Sequence, residues 1–412
     1  MAIRGWSPAL GLLLALTLGA CGGGGDGDTP SRTNAAVVYS SLPGRGARSA
    51  QAADVSNGIK LALEQAQGRA GKVRVRYRAL DDSSGAGGKV NPLAVARNAR
   101  TAVRDDDAVA YIGELDEGSP HSIPFTNEGG VAQIGIADTA VGLTTNEAGA
   151  NPAEPVVYRA SGKRTFVRLV PRDTIQAAAL VSLAIQNGCT SLAIANDGTR
   201  FGSGLEQGLE AAAEAQKLGV AAQVTLDASS ANYRSEARQA RLEGADCFVF
   251  AGLPSRIATR AFVDFGAALA GAELFGPDRL NVAGFTDAEA GGVPAALARR
   301  IQLTVVALPP NSSSTTKQFV EDYEQAYDEK PRPPARYGYE AMRLVLDAIG
   351  HAGDDRRADV IRELFDTRDR TSVLGSYSID ANGDTTLATY GIGSIVDGKV
   401  EVGATIRAPV AD

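Results

Sequence analysis

The residues that could bind a ligand are concentrated in the stretch Ala108 to Ser122, which reads AVAYIGELDEGSPHS. A short apolar run ends at Gly113 and is followed by an acidic loop that contains Glu117 and Ser119. Carboxylate and hydroxyl groups of this kind form hydrogen bonds with small polar molecules. In open α/β sheets, ligands bind in loops that leave the carboxyl ends of buried strands. The stretch therefore predicts a ligand-binding strand end.

The sequence contains no recognisable catalytic or metal-binding constellation. Its two histidines, His121 and His351, stand in no spacing typical of metal binding or proton transfer. The glycines next to Phe201 do not fit a dinucleotide fingerprint, because Asp197 to Phe201 separates them from the preceding apolar run. No phosphate-binding Gly-Lys-Ser/Thr loop and no Gly-x-Ser-x-Gly elbow occurs. We expect no enzyme, no metal and no cofactor.

Length and charge narrow the class further. The chain of 412 residues is too long for one ordinary core and fits two lobes of ~150 residues with appendages. Its formal net charge is −7 and no basic cluster stands out. Phosphate neutralisation needs a concentrated Lys/Arg face, which argues against nucleic acid as a partner.

The first residues read as an export signal. Arg4 precedes the apolar run Leu10 to Leu18, and Leu18-Gly19-Ala20-Cys21 resembles a bacterial lipobox, in which the cysteine becomes lipid-modified. We predict a lipoprotein signal peptide over residues 1–21, lipidation of Cys21 and a Gly-rich flexible tether over 22–34. The alternative is an ordinary secretory signal with an incidental cysteine. Either signal indicates export, and a lipid-anchored protein would face the outside of a bacterial membrane.

Cys189 and Cys247 remain as a candidate pair. Each stands just before an apolar run, and if these runs are neighbouring parallel strands, the two sulfurs lie side by side. A disulfide between them is a hypothesis, since an exported chain meets an oxidising compartment.

Short apolar runs alternate with amphipathic segments along the first part of the chain. A helix is predicted over Ala50 to Gln67 and another over about Leu93 to Arg104. Four strands separated by helical crossovers are typical of a parallel, doubly wound sheet. The strands are predicted at Ala35–Ser40, Val73–Tyr77, Ala108–Gly113 and Val131–Ala137.

The same alternation restarts after a polar bridge at Asn151 to Arg159, so we predict a second β-α-β lobe. Its strands are predicted at Ser191–Asn196, Val220–Leu226, Cys247–Ala251, Leu280–Gly284 and Ile301–Val306. Three helices follow at about 317–328, 336–351 and 358–365; lacking strands between them, they are expected to return and cover the first sheet. A tail of short antiparallel strands ends the chain.

The fold class predicted is α/β, with two doubly wound parallel-sheet lobes and a ligand cleft between them. Lobe 1 is expected to comprise residues 35–157 and 308–384, and lobe 2 residues 158–307 and 385–405. A cleft at a domain boundary, lined by strand ends from both lobes, is a common ligand site.

With these features, the chain resembles the type I periplasmic binding proteins, specifically the branched-chain amino acid (Leu/Ile/Val) binding family of ABC importers. The segments that carry the resemblance are Tyr39-Ser40-Ser41-Leu42-Pro43, Asn57-Gly58-Ile59-Lys60-Leu61-Ala62-Leu63, Asp81-Asp82-Ser83, Tyr111-Ile112-Gly113-Glu114 and Thr139-x-x-Gly142-Leu143-Thr144. The likeness runs from about residue 35 to 405 and rests on the order and spacing of these segments together.

The resemblance implies where a solute would bind. In that family, loops after the third and fourth strands hold the α-carboxylate of an amino acid, a carboxylate of lobe 2 helps to hold the ammonium, and an aromatic residue closes over the ligand. The ligand-binding residues carried over or suggested are Ser41, Glu117, Ser119, Ala137, Asp138, Thr139, Phe201, Gly252, Leu253, Phe285 and Asp287.

Glu117 departs from the family pattern, which places a serine there. A carboxylate beside a bound carboxylate costs several kcal/mol if both are desolvated and unpaired. Either Glu117 turns away from the ligand or the ligand presents no anion there; Asp116 and Asp138 add to the same acidity. The second option predicts a solute with a cationic or hydroxyl-rich group, and the alternative is that these acids cap loops or face solvent.

The expected function is therefore solute binding by two-lobe closure, as a monomer that delivers an amino acid or similar small polar solute to an ABC permease and its ATPase. The alternative is a ligand-sensing binding protein that signals to a receptor instead of a permease.

Overall fold

The computed structural model describes residues 35–46, 48–84, 89–115, 117–306 and 313–409. The predicted signal peptide, the tether, Cys21 and Asp116 lie outside these residues. Within the described ranges, none of the helices combines the length and the apolar character needed to cross a lipid bilayer.

The first part of the chain alternates strands and helices as predicted. The strands are β1 (Ala35–Leu42), β2 (Arg69–Ala70), β3 (Val73–Asp81), β4 (Ser83–Ser84), β5 (Lys89–Val90), β6 (Ala108–Gly113), β7 (Ala132–Gly135) and β8 (Phe166–Arg168). The helices between them are α1 (Ser49–Gln65), α2 (Pro92–Arg104) and α3 (Ile123–Glu128). Asn91 caps α2 through its side chain, which accepts from the N–H groups of Leu93 and Ala94, and Pro92 occupies the first helical position.

The second part repeats this alternation. Its elements are α4 (Asp173–Gln186), β9 (Ser191–Asn196), α5 (Arg200–Gln216), β10 (Gly219–Thr225), α6 (Arg234–Leu242), β11 (Cys247–Ala251), α7 (Arg256–Ala268), β12 (Leu274–Gly276), α8 (Ala283–Thr286), α9 (Ala295–Ala298) and β13 (Ile301–Val305). The closing elements are α10 (Ser314–Tyr327), α11 (Pro333–Ala352), α12 (Arg357–Phe365), β14 (Arg370–Ser372), β15 (Gly375–Tyr377), β16 (Thr389–Val396) and β17 (Lys399–Arg407).

Two large sheets organise the two lobes. The first has the order β2-β3-β1-β6-β7-β8, and all of its pairs are parallel except the short β2 against β3. The second has the order β10-β9-β11-β12-β13-β16-β17, parallel up to β13 and antiparallel beyond it. These sheets confirm the predicted mixed α/β fold with parallel sheets in two lobes. β8 belongs to the first sheet, although it lies beyond residue 157, where lobe 1 is expected to end.

The C-terminal helices return to the first lobe, as expected. Helix α11 crosses α1 at close range, because each helix presents a glycine to the other's backbone. A Cβ on Gly58 would lie 2.1 Å from the Ala335 carbonyl oxygen, and one on Gly338 would lie 2.1 Å from the Val55 carbonyl oxygen. Val345 and Ile349 of α11 are completely buried in the apolar core that also contains β1 and β6.

One predicted strand is wrong. The segment predicted as the strand Leu280–Gly284 forms the end of a 3-10 turn and the start of α8, and the strand of this region is the earlier β12. Pro277 ends β12 and Leu280 packs into the lobe-2 core, so the apolar residues of the segment reflect burial in a turn rather than in a strand. The helix that follows, α9, is a single turn.

The two cysteines predicted to neighbour each other do so. Cys189 precedes β9 and Cys247 begins β11, and these strands pair in parallel with Cys247 opposite Leu192. The structure joins the two cysteines by a disulfide with Cα atoms 5.8 Å apart.

Candidate functional site

Loops from both sheets meet in a cleft that consists of two chambers. The acidic chamber is lined by Glu117, Pro120, Asp138, Thr139, Ala140, Val141, Gly149, Asp173, Arg200, Phe201, Gly204 and Arg279. The larger chamber is lined by Arg48, Gln51, Val55, Leu115, Ile136, Ala137, Thr139, Val170, Asp278, Val306, Pro333, Pro334 and Tyr337. Thr139 lines both chambers, so they meet at this residue.

The loops that form the cleft leave the carboxyl ends of parallel strands. Glu117 follows β6 and Asp138 and Thr139 follow β7 of the first sheet, whereas Asp278 and Arg279 follow β12 of the second. Phe201 lies in the first turn of α5, which Thr199 caps by accepting a hydrogen bond from the Gly202 N–H at 3.0 Å. Both lobes thus contribute side chains to one cleft, as parallel-sheet topology dictates.

Two buried carboxylates of the acidic chamber are incompletely hydrogen-bonded. Asp138 is 1% exposed and Asp173 is 6% exposed. Asp138 Oδ1 accepts from the Ala140 N–H at 3.3 Å. Asp138 Oδ2 and Asp173 Oδ1 have no hydrogen-bond partner within the described part of the chain. A buried polar atom without a partner costs free energy, so these oxygens favour a donor from outside the protein.

Burial also governs the ionisation of these two acids. It raises the pKa of Asp138 to about 6, against the Ala140 N–H and the charges of Arg279 and Arg168, which lower it. Burial raises the pKa of Asp173 to about 7, opposed by a hydrogen bond with Thr139 and by Arg279. Both groups therefore change charge near neutral pH.

Cationic and aromatic groups of lobe 2 face these acids. The Arg279 guanidinium lies over the Phe201 ring, 5.1 Å from its centroid. Arg200 forms an ion pair with the buried Glu154, which also accepts a hydrogen bond from Tyr158 Oη at 2.6 Å. The acidic chamber is therefore bordered by charges of both signs, with Arg200 held by Glu154.

The two chambers differ in size and polarity. In the acidic chamber, the volume that the centre of a water molecule can occupy is about 20 Å³. This is enough for about one water. The corresponding volume in the larger chamber is about 180 Å³. Its walls are mainly aliphatic side chains, and its polar groups belong to Arg48, Gln51, Thr139 and Asp278. The acidic chamber in this conformation therefore holds about one water-sized group.

The acidic stretch after β6 is anchored by a buried polar network. Glu114 is completely buried and accepts hydrogen bonds from Tyr111 Oη at 2.6 Å and Ser122 Oγ at 2.8 Å. Gln133 Nε2 in turn donates to Ser122 Oγ at 2.8 Å. Burial raises the pKa of Glu114 to about 8 despite these hydrogen bonds. Glu114 is therefore mainly neutral at pH 7 and fixes the loop that presents Glu117.

Five of the residues predicted from the sequence line the cleft. They are Glu117, Ala137, Asp138, Thr139 and Phe201. Glu117 lies in an exposed position at the rim, so its carboxylate remains accessible to water. Ser119 is completely buried beside Pro120, and its Oγ has no hydrogen-bond partner among the described residues.

The other predicted residues line neither chamber. Ser41 is buried under the cleft, where Oγ donates to Asp82 Oδ2 at 3.0 Å. Gly252 and Leu253 wrap around Asp197, whose Oδ2 accepts from the Leu253 N–H at 2.7 Å. Both residues therefore pack against Asp197.

Phe285 and Asp287 belong to lobe 2 away from the cleft. The Phe285 ring is completely buried, with its centroid 5.0 Å from that of Phe262. Asp287 packs beside the turn at Gly398, where an added Cβ would lie 3.1 Å from the Asp287 Cβ. Lobe 2 contributes the carboxylates of Asp173 and Asp278 to the cleft. Asp278 lies nine positions before the predicted Asp287.

Several cleft residues were not predicted from the sequence. Asp173 begins α4, and an acid at a helix start is usually assigned to the helix dipole. Asp278 and Arg279 follow a strand of three residues, too short for its pattern to be recognised. Arg48 and Tyr337 lie far apart in sequence and meet only through the packing of α11 on α1.

Comparison with known proteins assigns the chain to a family. The sequence profile of the periplasmic binding protein family matches residues 40–399. A search of curated protein sequences finds no significant match. The chain belongs to the periplasmic binding protein family, whose members bind solutes and are not enzymes, as the resemblance predicted.

Solved structures share the fold over most of the chain. A leucine-binding protein, LivK, from Thermotoga maritima has 22% sequence identity and a TM-score of 0.69, over 90% of this chain and 99% of that one. The branched-chain amino acid binding protein LivJ from Streptococcus pneumoniae, in complex with isoleucine, has 18% identity and a TM-score of 0.67, over 91% and 100%. A solute-binding protein from Rhodopseudomonas palustris, in complex with p-hydroxybenzoic acid, has 16% identity and a TM-score of 0.69, over 91% and 97%.

Proposed function

We propose that this chain is the extracytoplasmic, lipid-anchored solute-binding component of an ABC importer, and that its lobes close around an amino acid or a similar small polar solute. The lobes would comprise 35–157 with 308–384 and 158–307 with 385–405, apart from β8. The protein would act as a monomer and present its closed form to a permease and an ATPase.

The observation that carries this proposal is the convergence of both lobes on Thr139. The Asp173 N–H donates to the Thr139 carbonyl oxygen at 2.9 Å, which ties the start of α4 to the loop after β7. Phe201 and Arg279 face this loop from lobe 2. A solute in contact with both sides stabilises the closed form over the open one, because it makes the full set of contacts only when the cleft is shut.

Polar groups at the edges of the larger chamber favour a small solute with an apolar body. Asp278 and Thr139 offer oxygen acceptors, Arg48 carries a positive charge, and the remaining walls are largely aliphatic. The related structures bind leucine, isoleucine or p-hydroxybenzoic acid. All three are small organic acids that combine polar groups with an apolar body.

Lipid anchoring and export rest on the first residues of the sequence. The apolar run Leu10 to Leu18 and the motif ending at Cys21 support a cleaved lipoprotein signal, and residues 22–34 would let the lobes move above the membrane. Mass spectrometry of the membrane fraction should find the mature N-terminus as acylated Cys21. An unmodified chain in the soluble fraction would contradict the anchor but not the binding role.

The binding role is tested by a solute screen followed by a measurement of closure. A thermal-shift screen of amino acids, organic acids and amines should contain a solute that raises the Tm. The same solute should reduce the radius of gyration measured by small-angle X-ray scattering. Exchange of Phe201 for Ala should weaken binding, whereas Val156→Ala on the exposed surface should not. Solutes that leave both the Tm and the radius of gyration unchanged throughout the screen would contradict the proposal.

A further inference from the structure

We propose that the acidic chamber is a subsite for a primary ammonium group of the solute, held between Asp138 and Asp173. This inference rests on the proposed function and narrows its solute class to amines whose remaining body lies in the larger chamber. It differs from the placement implied by family resemblance, in which the loops after β6 and β7 hold a carboxylate.

The hydrogen-bonding capacity of the chamber supports an ammonium group. Asp138 Oδ2 and Asp173 Oδ1 are buried acceptors without partners in the described part of the chain. Both residues line the same chamber, and the Asp173 backbone is hydrogen-bonded to the residue after Asp138. An ammonium group supplies three donors, enough for both carboxylates and one further acceptor. A bound carboxylate would supply none.

The size of the chamber favours the same group. Space for water centres amounts to about 20 Å³, which corresponds to about one water molecule. A primary ammonium is a compact group of similar size, whereas guanidinium and carboxylate groups are planar arrays of several heavy atoms. The larger chamber, with about 180 Å³ of such space, would accept the rest of the solute.

The charges around the chamber also favour a cation. Glu117, Asp138 and Asp173 supply carboxylates. Arg200 is engaged with Glu154, whereas the positive charges of Arg279 and Arg168 act on both buried acids. The charge of Arg279 favours the ionised forms of Asp138 and Asp173. Its guanidinium lies over the Phe201 ring. Asp138 Oδ2 and Asp173 Oδ1 keep no hydrogen-bond partner among the described residues. A carboxylate in this place would face three acids.

Matched probes test the subsite directly. Isothermal titration calorimetry at pH 8 should compare 1,5-diaminopentane and 5-aminopentanoate with pentanoate, which lacks the amine. The amine-terminated probes should bind at least about tenfold more tightly than pentanoate, because a charge-assisted hydrogen bond is worth about one order of magnitude in affinity.

Three variants assign the effect to the chamber. Asp138→Asn and Asp173→Asn keep the side-chain shape and should each weaken the amine probes about tenfold. Glu117→Gln, at an exposed position where folding is not at risk, should weaken them about threefold. Glu210→Gln, exposed on the same helix as Phe201, is the matched control and should leave affinity unchanged. Circular dichroism of each variant verifies the fold.

The outcomes separate the subsite from the binding role. If pentanoate binds as tightly as the amine probes, or if Asp138→Asn and Asp173→Asn retain full affinity for the amine probes, the ammonium subsite is excluded while solute binding stands. The wider screen can also find a solute that is not among these probes. A solute without an amine would overturn the ammonium subsite. A solute with an amine should bind Asp138→Asn more weakly than the parent. If no solute binds or closes the lobes, the proposed function itself fails.

Discussion

Arg168 and Asp384 form an ion pair that the protein encloses completely, with Nε 2.7 Å from Oδ1 and side chains that are 0% and 3% exposed. The same guanidinium donates to the Ala140 carbonyl oxygen at 2.8 Å and to Thr144 Oγ1 at 2.7 Å. Arg168 therefore links β8 and the segment around Asp384 to the loop that carries Asp138 and Thr139. Burial alone would raise the pKa of Asp384, but the charges of Arg168 and Arg172 outweigh it and lower the pKa.

Removal of Arg168 should destabilise the protein strongly. In Arg168→Met, Asp384 keeps Arg172 but loses its buried partner, and four acceptors lose a donor. We expect the free energy of unfolding to fall by roughly 3–5 kcal/mol, measured by urea denaturation. The exposed pair Lys317 and Glu321 provides a control, because Lys317→Ala should change the stability by less than about 1 kcal/mol. Equal effects of the two substitutions would show that the enclosed pair has no special role.

Glu114 should make the stability of the protein depend on pH. Its pKa is raised from 4.5 in the unfolded chain to about 8 in the folded protein, so the folded state binds the proton more tightly. The resulting stabilisation is complete below about pH 4.5 and is lost as the pH rises toward about 8. Glu114→Gln keeps a neutral side chain that can accept from Tyr111 and donate to Ser122. It should be more stable than the parent at pH 8 by roughly 3 kcal/mol.

Urea titrations at several pH values check this expectation. Between pH 5 and 8 the parent should lose stability more steeply than Glu114→Gln, and the two should differ least at pH 5. Glu128→Gln serves as the control, since Glu128 is an exposed acid on α3, and it should follow the parent. Parallel pH profiles for the parent and Glu114→Gln would mean that Glu114 ionises as easily in the folded protein as in the unfolded chain.

The sequence predicts the scaffold better than the walls of the cleft. Apolar runs and amphipathic segments predict most helices and strands, including β6 and its acidic loop, because these patterns are local. Arg48, Asp278 and Tyr337 come together only through long-range packing, which no local pattern encodes. Phe285 is suggested by the resemblance because it lies near the expected position of the lobe-2 carboxylate, yet the lobe-2 core buries it. The role of Glu114 also escapes local analysis, because it depends on burial and on Ser122 and Gln133.

The disulfide between Cys189 and Cys247 should stabilise lobe 2 by limiting its unfolded states. It closes a loop with a sequence separation of 58 residues, for which chain entropy predicts about 4 kcal/mol. The double variant Cys189→Ala/Cys247→Ala should unfold at lower urea concentration by a corresponding amount. Reductant should lower the stability of the parent but not that of the variant. Mass spectrometry should find both cysteines alkylated only when the protein is reduced before alkylation. Alkylation of both cysteines without reductant would contradict the disulfide.

Affinity for an amine solute should rise with pH across the neutral range. Asp138, with a pKa of about 6, and Asp173, with a pKa of about 7, are protonated in acid and then cannot pair with an ammonium group. The negative charge of Glu117 also acts on Asp138, and that of Asp278 on Asp173, while the positive charges of Arg279 and Arg168 act on both acids.

Calorimetric titration with 1,5-diaminopentane, whose amines stay protonated throughout, should give roughly tenfold or more tighter binding at pH 8 than at pH 5. The variant Asp138→Asn/Asp173→Asn should bind weakly with little dependence on pH, because neither buried position can ionise. Pentanoate provides the opposite control, since its binding should not strengthen as these carboxylates become charged. An affinity for the diamine that is constant from pH 5 to 8 would show that Asp138 and Asp173 do not contact the ammonium group.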